Sequence, residues 1–179
     1  VAFTKRMFDN YTADLEPFSN WQLAMGLSYV FNNNFSDMSF KLKDSPAPLK
    51  DRLATIRSMK ILYEECFAKR CPAVLGHYSE TTDELGIFCY MIWDTTSLSF
   101  CTNKKEKTEF YTALFEVFEA GLKSTNIACI ESALHGLGHL VFHYKPAAHL
   151  IEANIPWVRR KGGPRLLAYA KSAKTGMIQ

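Results

Sequence analysis

The chain has 179 residues, 47% of them apolar and 22% charged, a composition that fits an ordinary globular protein and excludes a disordered or fibrous one. Its apolar patches are broken by charge or Asn well short of the roughly 18 residues a membrane span needs, so no membrane partner is expected. The net charge of +3 divides unevenly: residues 1–144 carry 14 Lys/Arg against 17 Asp/Glu, and residues 145–179 carry 7 against 1, which makes the tail the basic part.

The first clear periodicity spans residues 13–33, where Trp21, Leu23, Ala24, Met25, Leu27, Tyr29 and Val30 recur at helical spacing behind a cap at Ser19 or Asn20. Asn32, Asn33 and Asn34 end it, because Asn side chains compete for backbone partners. Met38, Phe40 and Leu42 alternate, which reads equally as a short strand or as a loop that tucks three side chains onto the helices. From Pro48 a second helix runs through Leu49, Leu53, Ile56, Met59, Tyr63, Cys66 and Phe67 to Lys69-Arg70, and Pro72 stops it. A third follows from Asp83 to about Trp93, capped by Thr81 or Thr82, and the Thr/Ser-rich stretch after it reads as a connection or a short edge strand.

Residues 104–123 set Phe110, Leu114, Val117, Phe118 and Leu122 on one side of a helix, with Lys and Glu on the other. After a break at Ser124 or Thr125 comes the cleanest stripe in the chain, Ile127, Ile130, Leu134, Leu137, Val141 and Tyr144, read as one helix over 127–144. Pro146 opens a further helix carrying Leu150, Ile151 and Ile155. Pro156 interrupts it, and Gly162-Gly163-Pro164 forms a turn before a last short helix ending near Lys174. The fold class is therefore all-α, one domain over 1–179 of stacked antiparallel helix pairs.

Five cysteines, Cys66, Cys71, Cys89, Cys101 and Cys129, show no CxxC spacing, which points to free thiols in a reducing, cytoplasmic setting rather than to a zinc knuckle or redox pair. Residues 1–6 lack the pattern of a secretory leader.

Residues 126–156 resemble one unit of a HEAT or armadillo-like repeat: a longer helix, Ile127-Ala128-Cys129-Ile130-Glu131-Ser132-Ala133-Leu134-His135-Gly136-Leu137-Gly138-His139-Leu140, a tight turn at Pro146, then Ala147-Ala148-His149-Leu150-Ile151. That resemblance implies helix pairs that hold another protein along one face.

Glu131, His135, His139 and His143 follow one another at intervals of four and line one stripe of the 127–144 helix. At 100° per residue the three histidines fall opposite the Ile130, Leu134, Leu137 and Val141 face, so they meet solvent, another helix layer or a ligand. Gly136 and Gly138 flank them, each costing about 1 kcal/mol against Ala in a helix interior, and a close packing contact is the preferred reason. Imidazoles four apart can hold zinc, with Glu131 as a further ligand or base. The HExxH order is absent, however, and three histidines spread along about 12 Å of one helix cannot all reach one ion. A site on His135 and His139 therefore needs completion by His77, His149, Glu152 or Asp94.

The tail offers a second surface, Trp157 with Arg159 and Arg160, where the ring stacks on a base and the guanidinium groups meet phosphate, or where Trp157 merely covers the end of the core. Taken together, these residues favour a non-enzymatic protein-interaction module with no cofactor. Its partner is a protein, an acidic one fitting the charge of the tail, held through His135, His139, His143, Trp157, Arg159 and Arg160. Two alternatives stand beside it: a small enzyme with a divalent metal such as zinc on His135 and His139, joined by Glu131, His143 or His149, and a nucleic-acid binder using the basic end.

Overall fold

The computed structural model describes residues 1–78 and 82–178, and among these the secondary structure is helical throughout, with no strand. Short helices α1 (Ala2–Asp9) and α2 (Tyr11–Asp14) precede α3 (Asn20–Phe31). Ser19 closes a capping box on α3: its hydroxyl accepts from Gln22 N, while the Gln22 side chain accepts from Ser19 N. The Met38–Leu42 alternation belongs to neither a strand nor a loop. It forms a short helix, α4 (Met38–Lys43), which buries Ser39 and Leu42 and leaves Phe40 exposed. Buried Ser39 bonds to Asn33 and Ser97, and those partners come into reach only when the segment coils.

Pro48 stands at the cap of α5 (Leu49–Ser58). A π-helical stretch (Leu62–Phe67) and the single turn α6 (Ala68–Arg70) continue it, so the long helix expected here is locally widened to i→i+5 bonding rather than regular. After a 3₁₀ turn (Gly76–Tyr78), α7 (Glu84–Thr95) starts from Asp83, whose carboxylate accepts from Gly86 N. Asp83 thus does the capping expected of Thr82, and Thr81 lies outside the described residues. The connection after α7 is a 3₁₀ turn (Ser97–Ser99).

Next come α8 (Lys107–Leu122), α9 (Ile127–Leu140) and α10 (Pro146–Lys174). Helix α9 is antiparallel to α8, since Gly121 faces Ala133 while Phe118 faces Gly136. Pro156 does not interrupt α10, because the carbonyl it leaves without a donor belongs to Glu152 on the exposed side. The break falls at Gly163, whose φ of 63° and ψ of −155° suit glycine alone. There the chain reverses, and the Lys174–Glu152 ion pair joins two residues equally far in sequence from Gly163. Helix α10 is therefore an antiparallel hairpin under one label, as the Gly162-Gly163-Pro164 pattern implies.

These elements converge on α9, from Ala128 to Leu140 buried at every position but His139. Helix α8 covers one side of it, α7 a second and α10 a third. The histidine flank therefore meets another helix layer. Gly136 admits the Phe118 ring, which a Cβ would overlap, and Gly138 admits Ile178 and the backbone at Ala173. Close packing accounts for both glycines. No helix among the described residues is long and apolar enough to cross a membrane.

Candidate metal centre

The site begins with what holds α7 against α9. Between them runs a buried hydrogen-bond chain: Trp93 Nε1 donates to the Tyr63 hydroxyl, which donates to Ser132 Oγ at 2.9 Å, and Ser132 Oγ donates to the Cys89 carbonyl. Trp93 and Tyr63 are almost fully buried, so the chain is dry and every polar atom in it is paired. It fixes the last turn of α7 at a set height along α9. Asp94 is the next residue.

Asp94 Oδ1 lies 3.0 Å from His135 Nε2 and 3.0 Å from His139 Nε2. One ligand atom from each of the three residues can be chosen so that all lie within 4.8 Å of one another. On its other edge, His135 Nδ1 is 2.8 Å from the Tyr169 hydroxyl, and Tyr90 packs edge-on against the ring at 4.9 Å. The cluster has an inside and an outside. His135 is fully buried, whereas the side chains of His139 and Asp94 are 27% and 34% exposed.

Burial works to raise the Asp94 pKa, but hydrogen bonds and charge from His135 and His139 overcome it and hold the carboxyl well below the usual carboxylate range. Burial drives the Tyr169 phenol far above its ordinary value, and its contact with Tyr90 adds to the effect. Tyr169 therefore stays neutral and can either donate to His135 Nδ1 or accept from it.

Other residues singled out in the sequence fall elsewhere. Glu131 is buried one turn earlier on α9, where its carboxylate accepts from Gly76 N and His77 N and pairs with His77 Nδ1. His143 lies past the end of α9, which stops at Leu140 rather than running to Tyr144. There it stacks on Tyr111 and meets Phe100 edge-on, and burial, helped by Lys107, lowers its pKa. His149 is exposed on α10, and Glu152 is paired with Lys174.

Its burial leaves His135 no surface for a protein partner to contact. Trp157 covers the core end: its Nε1 donates to the Leu122 carbonyl, and Arg160 and Lys161 lie over its ring. Arg159 and Arg160 are exposed.

Of the donors weighed to complete a site on His135 and His139, Asp94 is the one the fold delivers. Tyr169 has no counterpart in the sequence reading. It reaches His135 only because the chain reverses at Gly163, and no local spacing signals a contact across 34 residues.

No known family model, characterised protein or solved structure matches the chain.

Proposed function

We propose that the chain is a helical metal-binding protein in which Asp94, His135 and His139 hold one divalent transition ion, zinc being the best fit. The observation that carries this reading is that two imidazole Nε2 atoms from α9 gather round one carboxylate oxygen from α7, with a ligand atom of each residue within 4.8 Å of the others. Zinc bonds N and O ligands at about 2.0–2.2 Å, which spaces tetrahedral ligands roughly 3.3 Å apart. The two Asp94–histidine separations of 3.0 Å need only a small expansion, and the three ligand atoms all lie within 4.8 Å of one another. Support also comes from Tyr169: ligating histidines usually engage a partner through the second ring nitrogen, which fixes tautomer and orientation. Three protein ligands with a solvent side leave a position for water or substrate, the pattern of a Lewis-acid site rather than of a closed structural one.

The competing account is a carboxylate that accepts two imidazole N–H bonds and needs no ion. Calorimetric titration of zinc into the chelator-treated full chain separates the two. One equivalent should bind, binding should be lost in His139→Ala and kept in His149→Ala, and Tyr169→Phe should weaken it about tenfold, all with unchanged helical circular dichroism. Absence of binding to the unsubstituted chain, or full binding by His139→Ala, overturns the reading.

A further inference from the structure

On their outer side α3 and α7 leave an apolar surface uncovered. The two helices lie side by side and parallel: Asn20 at the start of α3 bonds to Asp83 at the cap of α7, and Asn33 N, just past α3, donates to the Thr95 carbonyl at the end of α7. That register sets Met25 level with Ile87 and Tyr29 level with Met91. Along α3, Trp21, Met25 and Tyr29 are spaced by four and form one outward stripe, while Leu23, Ala24, Leu27 and Phe31 face the core. Phe18 extends the stripe at its start. The exposures of Phe18, Trp21, Met25, Tyr29, Ile87 and Met91 are 47%, 57%, 45%, 58%, 53% and 36%. At roughly 200 Å² per large side chain, half exposed, the six leave about 600 Å² of contiguous apolar surface, at the upper end of what monomers tolerate.

Gly26 sits at the edge of this face, next to Met25 and on the flank of α3 that looks toward Met7 and Leu15. Glycine inside a helix costs about 1 kcal/mol against Ala, and the two buried glycines of α9 repay that by admitting neighbours. Among the described residues Gly26 admits nothing, for a Cβ there would meet no atom within 4 Å. Around it opens a groove of about 350 Å³ lined by Phe18, Trp21, Met25 and, at its floor, Leu15 and Met7.

We propose that this face is a homodimer interface, its occupant the same α3–α7 face of a second copy. Charge argues for that occupant over a foreign chain. Residues 17–36 contain no charged side chain, and neither does α7 between Glu84 and Asp94. Such a surface has nothing with which to select a charged partner, and it meets its own image without like-charge repulsion, as a two-fold interface requires. Size agrees. With a rim of Gln22 and Ser28 the patch approaches the roughly 800 Å² that each partner of a standard interface buries. In the paired form an aromatic or Met side chain of each copy enters the other's groove beside Gly26, which gives the glycine a reason to be there.

The assembly is independent of the proposed metal, so loss of either leaves the other standing. Sedimentation equilibrium of the full chain over two decades of concentration should give a dimer mass at the upper end. Trp21→Glu places charge in the interface, and Gly26→Gln fills the groove from an open helical position where the chain itself raises no clash. Both should be monomeric with unchanged circular dichroism, whereas Phe3→Glu, on the exposed aromatic of α1, should still dimerise. A monomer mass at every concentration, or dimerisation of Gly26→Gln equal to that of the unsubstituted chain, overturns the proposal.

Discussion

Helix α9 carries Glu131, Ser132 and His135 into positions at most 1% exposed, whereas α3 turns Trp21, Met25 and Tyr29 outward at about half exposure. Each reverses the usual partition of side chains, in opposite directions. On α9 the reversal is complete on its own terms: every inward polar group has a partner from α7, α10 or the 3₁₀ turn at Gly76. On α3 the reversal has no internal answer, since among the described residues no element covers the outward stripe. Buried polar groups and exposed apolar patches are the informative departures from the inside-outside rule, and here they separate a site assembled within the chain from a surface that awaits another.

The largest effect should come from breaking the interior side of that contrast. Glu131→Ala removes the acceptor for Gly76 N, His77 N and His77 Nδ1, leaving three part-buried donors without it. At about 1–3 kcal/mol for each buried group left unpaired, the loss should be near 3 kcal/mol, read from urea denaturation. Glu131→Gln keeps one acceptor oxygen and should lose less. If Glu131→Ala costs nothing, the polar flank of α9 is not what fastens the turn at Gly76. The next effect belongs to Gly136→Ala. Its Cβ would overlap the Phe118 ring, and that ring cannot retreat because it is buried edge-on against Trp93 at 4.5 Å. Overpacking of about 1–3 kcal/mol should outweigh the helix-propensity gain, so the protein should be less stable despite the better helix former.

A pH series tests whether the interior is as dry as its pairing implies. Burial, ahead of any neighbouring charge, pushes Cys66 and Tyr11 up to about 12. In the unfolded chain these groups ionise near their ordinary values, roughly 8.5 and 10. Between those values and about 12 the folded state binds more protons, so stability is fully present below pH 8.5 and falls as the pH rises. The unfolding free energy should drop by about 1–2 kcal/mol by pH 10. All five cysteines are buried and free, so at pH 8 none should react with a thiol reagent until denaturant is added. A flat profile to pH 10.5, or prompt labelling, would mean that water reaches this core.

Much of the architecture is legible in the residues, and what escapes has a common cause. Ile130, Leu134 and Leu137 mark α9, and Gly162-Gly163-Pro164 marks the reversal in α10, because a helical stripe and a positive-φ glycine are local properties. The His135–His139 pair is equally local, being one turn apart. A helical wheel also shows correctly that these histidines oppose the core stripe. It cannot say what stands on that side, and α7 and the second half of α10 arrive there through contacts between residues 34 to 45 apart in sequence. Hence Asp94 appears in the sequence as one of several completing donors, and Tyr169 does not appear at all. The outward stripe of α3 is illegible for a different reason: the helix is apolar nearly all round, so periodicity offers no face to prefer, and only the position of α7 decides which side is left over.

Gly26→Ala gives the smallest effect and the sharpest contrast, since it repeats the Gly136 substitution on the other helix. Both glycines lie inside helices, and Ala is the better helix former by about 1 kcal/mol at each. At Gly136 the new methyl has no room, and the sign turns unfavourable. At Gly26 it points into open space, so a monomer should gain about 0.5–1 kcal/mol, measured by denaturation at a protein concentration too low for association. Raising the concentration should then erase part of the gain, because the methyl narrows the groove that a second copy would enter. If the gain is the same at every concentration, Gly26 contributes nothing to association and the open groove beside it is only surface. If Gly26→Ala destabilises the dilute chain as Gly136→Ala does, α3 is packed against something in its own fold, and the contrast between the two helices fails.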